Sequence, residues 1–244
     1  MEIQPGWTKV RVVRGLVEIK NILEDITTDF EFDQVYLCGG WARYMCSTNK
    51  KPADARDVDL YCSSNDVYEK LKDFFLTRGL EVRYENAISM TFNKVSDYKH
   101  RYFGSPVIQI IRPMKKGAID TQGSLENILS NFDFSVIRIG MDIAKQGVTK
   151  DGFNFMMADN DFTLDEMNQA IRIKNIHCPV SSMYRCLKYM RRKYTLRLIE
   201  MLKLFRDWEE RDEEEYKNEI IRLASKDSLE QKEIDELEAL IRVD

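Results

Sequence analysis

The chain has 244 residues, 43% of them hydrophobic and 32% charged, with a mean hydropathy of −0.44, which excludes both a disordered chain and a membrane bundle. No window reaches the ~18 uninterrupted apolar residues of a spanning helix, and no apolar stretch follows the first charges of residues 1–10, so neither a membrane partner nor a secretory leader is expected. The formal net charge of −4 argues, taken as an average, against a nucleic-acid partner.

In chain order, Leu16, Ile19, Leu23, Ile26 and Phe30 recur at helical spacing and predict a helix over 14–30. Residues 35–38 read as a strand closed by Gly39-Gly40, and 41–47 as the start of a helix. Strand 58–62 and a helix over 65–78, with Val67, Leu71 and Phe74/Phe75 as its stripe, come next. Residues 81–84, 87–92 and 107–111 are strand candidates bounded by Gly, Asn, Ser and Pro. Ser124 caps a short helix over 125–129, and 134–139 and 153–157 read as further strands. Up to about residue 160 this is a mixed α/β pattern with a modest sheet.

The pattern then changes. Thr163-Leu-Asp-Glu166 reads as a capping box. Ser181/Ser182 cap a long helix expected to run to about Trp208, with Met183, Leu187, Met190, Tyr194, Leu198, Met201 and Phe205 as its apolar stripe. Ser228 and Gln231 cap a last helix carrying Ile234, Leu237 and Leu240/Ile241. No strand is expected after residue 180. The expected organisation is an α/β (α+β) part over 1–160 and an all-helical part over 161–244.

The five cysteines are Cys38, Cys46, Cys62, Cys178 and Cys186, with no C-x-x-C pair among them. His100 and His177 lack ligand-spaced partners beyond the adjacent Cys178. Zinc ligands want closer spacing, so free, buried or half-buried thiols in a reducing cytoplasm are expected.

Asp57-Val58-Asp59-Leu60 carries the chemistry. In a strand, residues i and i+2 share a face, which puts Asp57 and Asp59 side by side. Adjacent carboxylates repel unless a cation lies between them, and oxygen donors suit Mg²⁺ or Mn²⁺. Such ions assist nucleotidyl transfer by activating one oxygen and stabilising another. Gly39-Gly40 places backbone amides and a helix N-terminus nearby, where a phosphate is favoured.

Leu37-Cys38-Gly39-Gly40-Trp41-Ala42-Arg43 followed by Asp57-Val58-Asp59-Leu60 resembles the signature of the DNA-polymerase-beta-type nucleotidyltransferase superfamily. Within it, the likeness is to the head and neck of tRNA CCA-adding enzymes and bacterial poly(A) polymerases, which carry Gly-Gly-x-x-Arg before Asp-x-Asp. The resemblance implies a nucleotidyltransferase-like mixed sheet flanked by helices. It implies Mg²⁺ (or Mn²⁺) at Asp57 and Asp59, and NTP phosphates at Gly39, Gly40 and Arg43. Residues 107–112 resemble the next core strand, and Asn131-Phe132-Asp133-Phe134-Ser135 the family's Arg-Arg-Asp-Phe-Thr, implying that Asp133 contacts the nucleotide ribose. Arg185-Cys-Leu-Lys188-Tyr189 resembles the neck motif Arg-x-x-Arg-Phe and adds Arg185 and Lys188 to the nucleotide site. The base-selecting Glu-Asp-x-x-Arg motif has no counterpart. The length leaves little room for body and tail domains, so the chain resembles a compact relative, of phage or stand-alone type. Gln109 is a poor metal ligand, so a third catalytic carboxylate is sought among Glu81, Glu85 and Asp133, with Asp133 ranked first.

Between Arg185 and Arg197 there are six bases and no acid. Arg185, Lys188 and Arg192 fall on one helical face, and with Arg191 and Lys193 they form a candidate RNA-binding surface. Residues 207–244 hold fifteen acids and six bases, a net −9, which leaves +5 on residues 1–206. Met114-Lys-Lys-Gly117 adds positive charge near the site. The acidic segment either is solvated, folds over the basic helix or contacts another subunit, so self-association through the C-terminal helices is a candidate. The reading that follows is a metal-dependent transferase moving NMP from an NTP to a hydroxyl, an RNA (tRNA-like) 3′ end, in the cytoplasm. Transfer to a protein or small molecule, and a non-catalytic RNA- or partner-binding relative, remain open beside it.

Overall fold

The computed structural model describes residues 4–13, 34–47, 57–92, 107–116, 119–143, 155–210 and 218. The helices expected over 14–30 and 228–241 lie outside these residues, as does most of the acidic segment.

Twelve strands and six helices are used below. β1 is Trp7–Arg11, β2 Val35–Cys38, α1 Gly39–Cys46, β3 Asp57–Cys62 and α2 Asn65–Thr77. β4 is Val82–Glu85, β5 Ser89–Phe92, β6 Val107–Ile111, β7 Lys115–Lys116 and β8 Ile119–Asp120. α3 is Leu125–Ser130, β9 Ile139–Asp142, β10 Phe155–Asp159 and α4 Phe162–Met167. β11 is Ala170–Ile171, α5 Pro179–Arg191, β12 Thr195–Leu196 and α6 Leu198–Glu210. The two last-named strand pairs, β7–β8 and β11–β12, are short ribbons outside the main sheet.

The main sheet has eight strands in the order β1-β10-β9-β2-β3-β6-β5-β4. β3 and β6 are parallel, and the other neighbours are antiparallel. Alternation assigns the two faces. Val35, Leu37, Val58, Leu60, Ile110, Ile139 and Ala158 are 0% exposed and face α1 and α2, forming the main core. The opposite face carries Asp57, Asp59 and Tyr61, and α3 covers part of it by packing Leu125, Ile128 and Leu129 on Tyr36, Cys38 and Met157. Ser64 caps α2 by accepting from the Val67 amide at 3.3 Å. Ser124 caps α3 through the Asn127 amide at 3.2 Å.

Five expectations are corrected here. Residues 134–139 are not one strand: 135–137 form a 3₁₀ turn and β9 begins at Ile139. The Ser135 hydroxyl donates to Asp165 and its amide to the Arg172 carbonyl, which draws the chain out of the sheet. The capping box at Thr163 does not form, because α4 already starts at Phe162 with Asp161 as cap. Glu166, expected to fold back on the cap, accepts instead from the Tyr194 hydroxyl.

The long helix to Trp208 is two helices. α5 ends at Arg191, and Lys193 takes φ +68°. The Lys193 amide donates to the Met190 carbonyl and the Tyr194 amide to the Tyr189 carbonyl, the bond pattern of a Schellman stop. β12 follows and pairs with β11, so a strand does occur after residue 180. The break also overturns the expected stripe. α5 buries Cys186 and Tyr189, and α6 buries Leu204 and Glu200. Leu187, Met190, Leu198 and Phe205 are exposed.

All five cysteines are free, with Cys38, Cys62 and Cys186 buried. Among the described residues no helix is long and apolar enough to cross a membrane.

Gly140 tests the packing of the sheet. A Cβ there would lie 2.8 Å from both Cys38 Sγ and the Leu37 carbonyl oxygen, and 3.1 Å from Leu125 Cδ1. The carbonyl is backbone and cannot yield. Gly140→Ala is expected to destabilise the protein by about 1–3 kcal/mol, read as a lower urea midpoint at unchanged m value.

Candidate active site

The site is built on β3. Its alternation buries Val58, Leu60 and Cys62 and leaves Asp57 exposed and Asp59 half-buried on the other face. Asp59 lies opposite Cys38 of β2 and opposite Gln109 of β6, while Asp57 lies opposite Val107. Cys38, opposite Asp59 at the end of β2, has its thiol pushed up by burial and further by the Asp59 charge.

Gly39 opens α1 with φ +75°, a conformation that favours glycine. A Cβ on it would sit 2.7 Å from Asp59 Oδ2. The absent side chain is therefore what lets the carboxylate reach the start of α1. The side chain of Cys38, at the N-cap, makes no capping bond, and the N-terminal amides of a helix favour an anion. Gly40, next along, has open space where its Cβ would be.

The other expected residues are placed differently. Arg43 is 1% exposed. Its guanidinium carbon lies 5.0 Å from the Tyr189 ring centroid and 5.7 Å from that of Tyr194. It lies between α1 and the rings of α5 and the residues after it. Tyr189 and Tyr194 are core residues packed edge to face, with ring centroids 5.3 Å apart.

Asp133 is 3% exposed. Its Oδ2 accepts from Ser182 Oγ and from Arg185 Nη1, both at 3.0 Å. The first turn of α5 favours such a negative charge. Its other oxygen, Oδ1, is buried without a hydrogen-bond partner. Among the described residues no group of three His, Cys, Asp or Glu side chains is placed to hold a metal ion. Asp133 is thus not brought to Asp57 and Asp59 as a third ligand. Glu85 is paired with Arg112 at 3.3 Å, and Glu81 is exposed.

The basic surface is divided. Arg185 is committed to Asp133 and to Ser181 Oγ, at 3.0 Å. Arg192 lies 5.7 Å from the Tyr189 ring centroid. Lys188, Arg191 and Lys193 are exposed, at the end of α5 and its stop. In the β7–β8 ribbon, Lys115 pairs with Asp120 at 3.5 Å.

Three partners were not expected at the site. Ser182 binds Asp133, Glu166 binds Tyr194, and Gly140 lets Leu125 approach Cys38. Only Gly140 carries a sequence signal, since an isolated glycine inside a strand marks a close approach.

A mixed sheet flanked by helices, a glycine turn against paired aspartates, and a helical neck closing on Asp133 define a nucleotidyltransferase-like fold, as comparison with solved structures also finds. No family model and no curated protein sequence matches the chain. A CCA-adding enzyme in complex with ATP matches at TM-score 0.56 and 17% identity, over 95% of this chain and 54% of that one. The Thermotoga maritima CCA-adding enzyme complexed with tRNA matches at TM-score 0.54 and 14% identity, over 80% of this chain and 44% of that one. A tRNA-processing enzyme in an apo form matches at TM-score 0.54 and 16% identity, over 80% and 48%. The likeness is one of fold, in head and neck, and the chain spans about half the length of these structures.

The glycine turn makes a test. Gly39→Ala adds a left-handed penalty of about 1–2 kcal/mol and pushes on Asp59 Oδ2. In an Asp59→Ala background only the backbone penalty remains. Urea unfolding is expected to show the double variant less destabilised than the sum of the single ones. Strict additivity would mean that the carboxylate does not rest against this glycine.

Proposed function

We propose that the chain is a metal-dependent nucleotidyltransferase that moves NMP from an NTP to the 3′ hydroxyl of an RNA. The carrying observation is that Asp57 and Asp59 share the face of β3 that meets the start of α1 at Gly39. The donor set fits Mg²⁺ or Mn²⁺: two carboxylates supply hard oxygens, and such an ion keeps waters and takes phosphate oxygens besides. Asp57 and Asp59 would hold it, and when bound it supplies charge stabilisation at the reacting phosphate.

The chain's own groups do the rest. The α1 amides at Gly39 and Gly40 receive phosphate oxygens. The hydroxyl oxygen bonds to the α-phosphorus as the bond to the bridging oxygen breaks. Pyrophosphate leaves and the hydroxyl proton passes to a carboxylate or solvent. Asp133 Oδ1, buried and unpartnered, suits a donor such as a sugar hydroxyl, since leaving it unmet costs about 1–3 kcal/mol. Arg185 holds that carboxylate from the other side. Lys188, Arg191 and Lys193 present charge to an RNA backbone. The tRNA-bound CCA-adding enzyme of like fold supports that acceptor. Five free thiols suit the cytoplasm. The exposed Leu198, Ile199, Leu202 and Phe205 of α6 suit self-association through the C-terminal helices.

One observation favours a second reading, binding without transfer: β6 contributes only Val107 and Gln109 beside the aspartates. Incubation with each α-labelled NTP, Mg²⁺ or Mn²⁺, and total RNA plus protein separates the two. Label is expected on RNA and is expected to fall to background in Asp57→Asn and in Asp59→Asn. Label surviving both substitutions would sink the metal assignment. Label on protein would change the acceptor, and no label with any NTP would leave the binding reading.

The basic end of α5 is tested apart from Asp133. Arg191→Ala with Lys193→Gly keeps the left-handed stop. It is expected to weaken RNA binding and reduce the slope of log K against log salt by about 1–1.5, at roughly 0.7 per single-strand phosphate contact. An unchanged slope would mean that these bases are only solvated.

A further inference from the structure

We infer that the aspartate pair of β3 takes one divalent ion per chain in the absence of nucleotide, not two, and that Gln109 sets this count. The inference rests on the metal-binding reading above and goes beyond it. Directly opposed residues of neighbouring strands point to the same face. Asp59 is opposed by Cys38 and Gln109, and Cys38 in turn by Gly140. The row through Asp59 therefore holds a buried thiol, a glycine and a carboxamide beside a single carboxylate. Asp57 has Val107 as its β6 neighbour. Both strand positions nearest the aspartates on β6 are uncharged.

Gln109 is held as a donor. Its Nε2 donates to Ser89 Oγ at 2.7 Å, and the Ser89 hydroxyl donates to Asn86 Oδ1 at 3.4 Å. Because the serine proton is turned to Asn86, the serine oxygen accepts from the glutamine. The atom that Gln109 keeps for a cation is a neutral amide oxygen. Among the described residues no third His, Cys, Asp or Glu joins the pair. Two dications about 3.5–4 Å apart repel strongly and need further anionic ligands. One ion is satisfied by two carboxylates and waters.

Gln109→Glu is nearly isosteric. The Ser89 hydroxyl can turn to donate to the new carboxylate, so the strand pairing is kept. MnCl₂ alone is titrated into the full-length chain, with bound Mn²⁺ counted by electron paramagnetic resonance and folding checked by circular dichroism. Wild type is expected to bind one Mn²⁺, Gln109→Glu two, and Asp59→Asn none. Val107→Glu, which puts the carboxylate beside Asp57, is the second variant should Gln109→Glu not fold, and two ions are expected there also. RNA labelling by Gln109→Glu is expected to rise at least tenfold. Two ions on the wild type, or one on both folded glutamate variants, would overturn the inference and leave the transferase reading standing. No Mn²⁺ on the wild type would overturn the inference, and with no labelling it would take the metal-dependent reading down as well.

Discussion

A buried guanidinium ties the sheet to the neck. Arg43 projects from the second turn of α1 into the rings of Tyr189 and Tyr194, and the Tyr194 hydroxyl donates to Glu166 of α4. Burial pushes the Tyr194 phenol up; Arg43 opposes that shift and Glu166 adds to it. The phenol thus stays neutral and donates its proton to the Glu166 carboxyl. Glu166 also acts on Cys46 of α1, whose thiol is pushed up to about 12 mainly by burial. Desolvating an arginine is expensive unless opposite charge and π-faces surround it, so this cluster has few alternative arrangements. α1 begins at Gly39 and carries Arg43 one turn later. α5 carries Ser182 and Arg185 near its start and Tyr189 near its end. The same neck helix therefore holds Asp133 and fixes the helix whose first residue meets Asp59.

That dependence explains which parts of the fold were legible in the sequence. β3 and β6 are read correctly because period-2 burial against a large core admits one register. α2 is read correctly from its stripe of Val67, Leu71 and Phe74/Phe75, and α3 because Ser124 announces its start. The stop of α5 has no such announcement. Lys193 adopts the left-handed conformation without being glycine, and the compensation is tertiary: the Thr195 amide donates to the Gln169 carbonyl at 2.7 Å, and Tyr194 is drawn into the arginine cluster. A continuous helix would carry Tyr194 away from Glu166. The Thr163 capping box failed for the same reason, since Asp165 is claimed by Ser135 and Arg172, and Glu166 by Tyr194.

The site was legible where chemistry and local geometry coincide. The aspartate spacing, the glycine turn and the uncharged Gln109 are all visible in the chain. Arg43 and Arg185 stand out in the sequence, but their partners within the fold do not. Their partners lie 146 and 52 residues away, and spacing does not say whether an arginine meets a phosphate or a tyrosine. The charge average hides a local arrangement for a related reason. A net −4 is compatible with exposed bases gathered at the end of one helix, because a polyanion meets a surface and not a sum.

Asp57 and Asp59 are not equivalent supports for a ligand. Asp59 is enclosed: Cys38 and Gln109 flank it across the strands and Gly39 closes over Oδ2. Its position is set before anything binds. Asp57 begins its strand, is exposed, and has one described strand neighbour, Val107. A binding group of this design couples a fixed carboxylate to an adaptable one. The fixed one contributes preorganisation, which raises the value of each electrostatic contact because little is spent on reordering. The feature that makes this asymmetry possible is the missing side chain at Gly39. Any Cβ there would displace the carboxylate on which the geometry of the site depends.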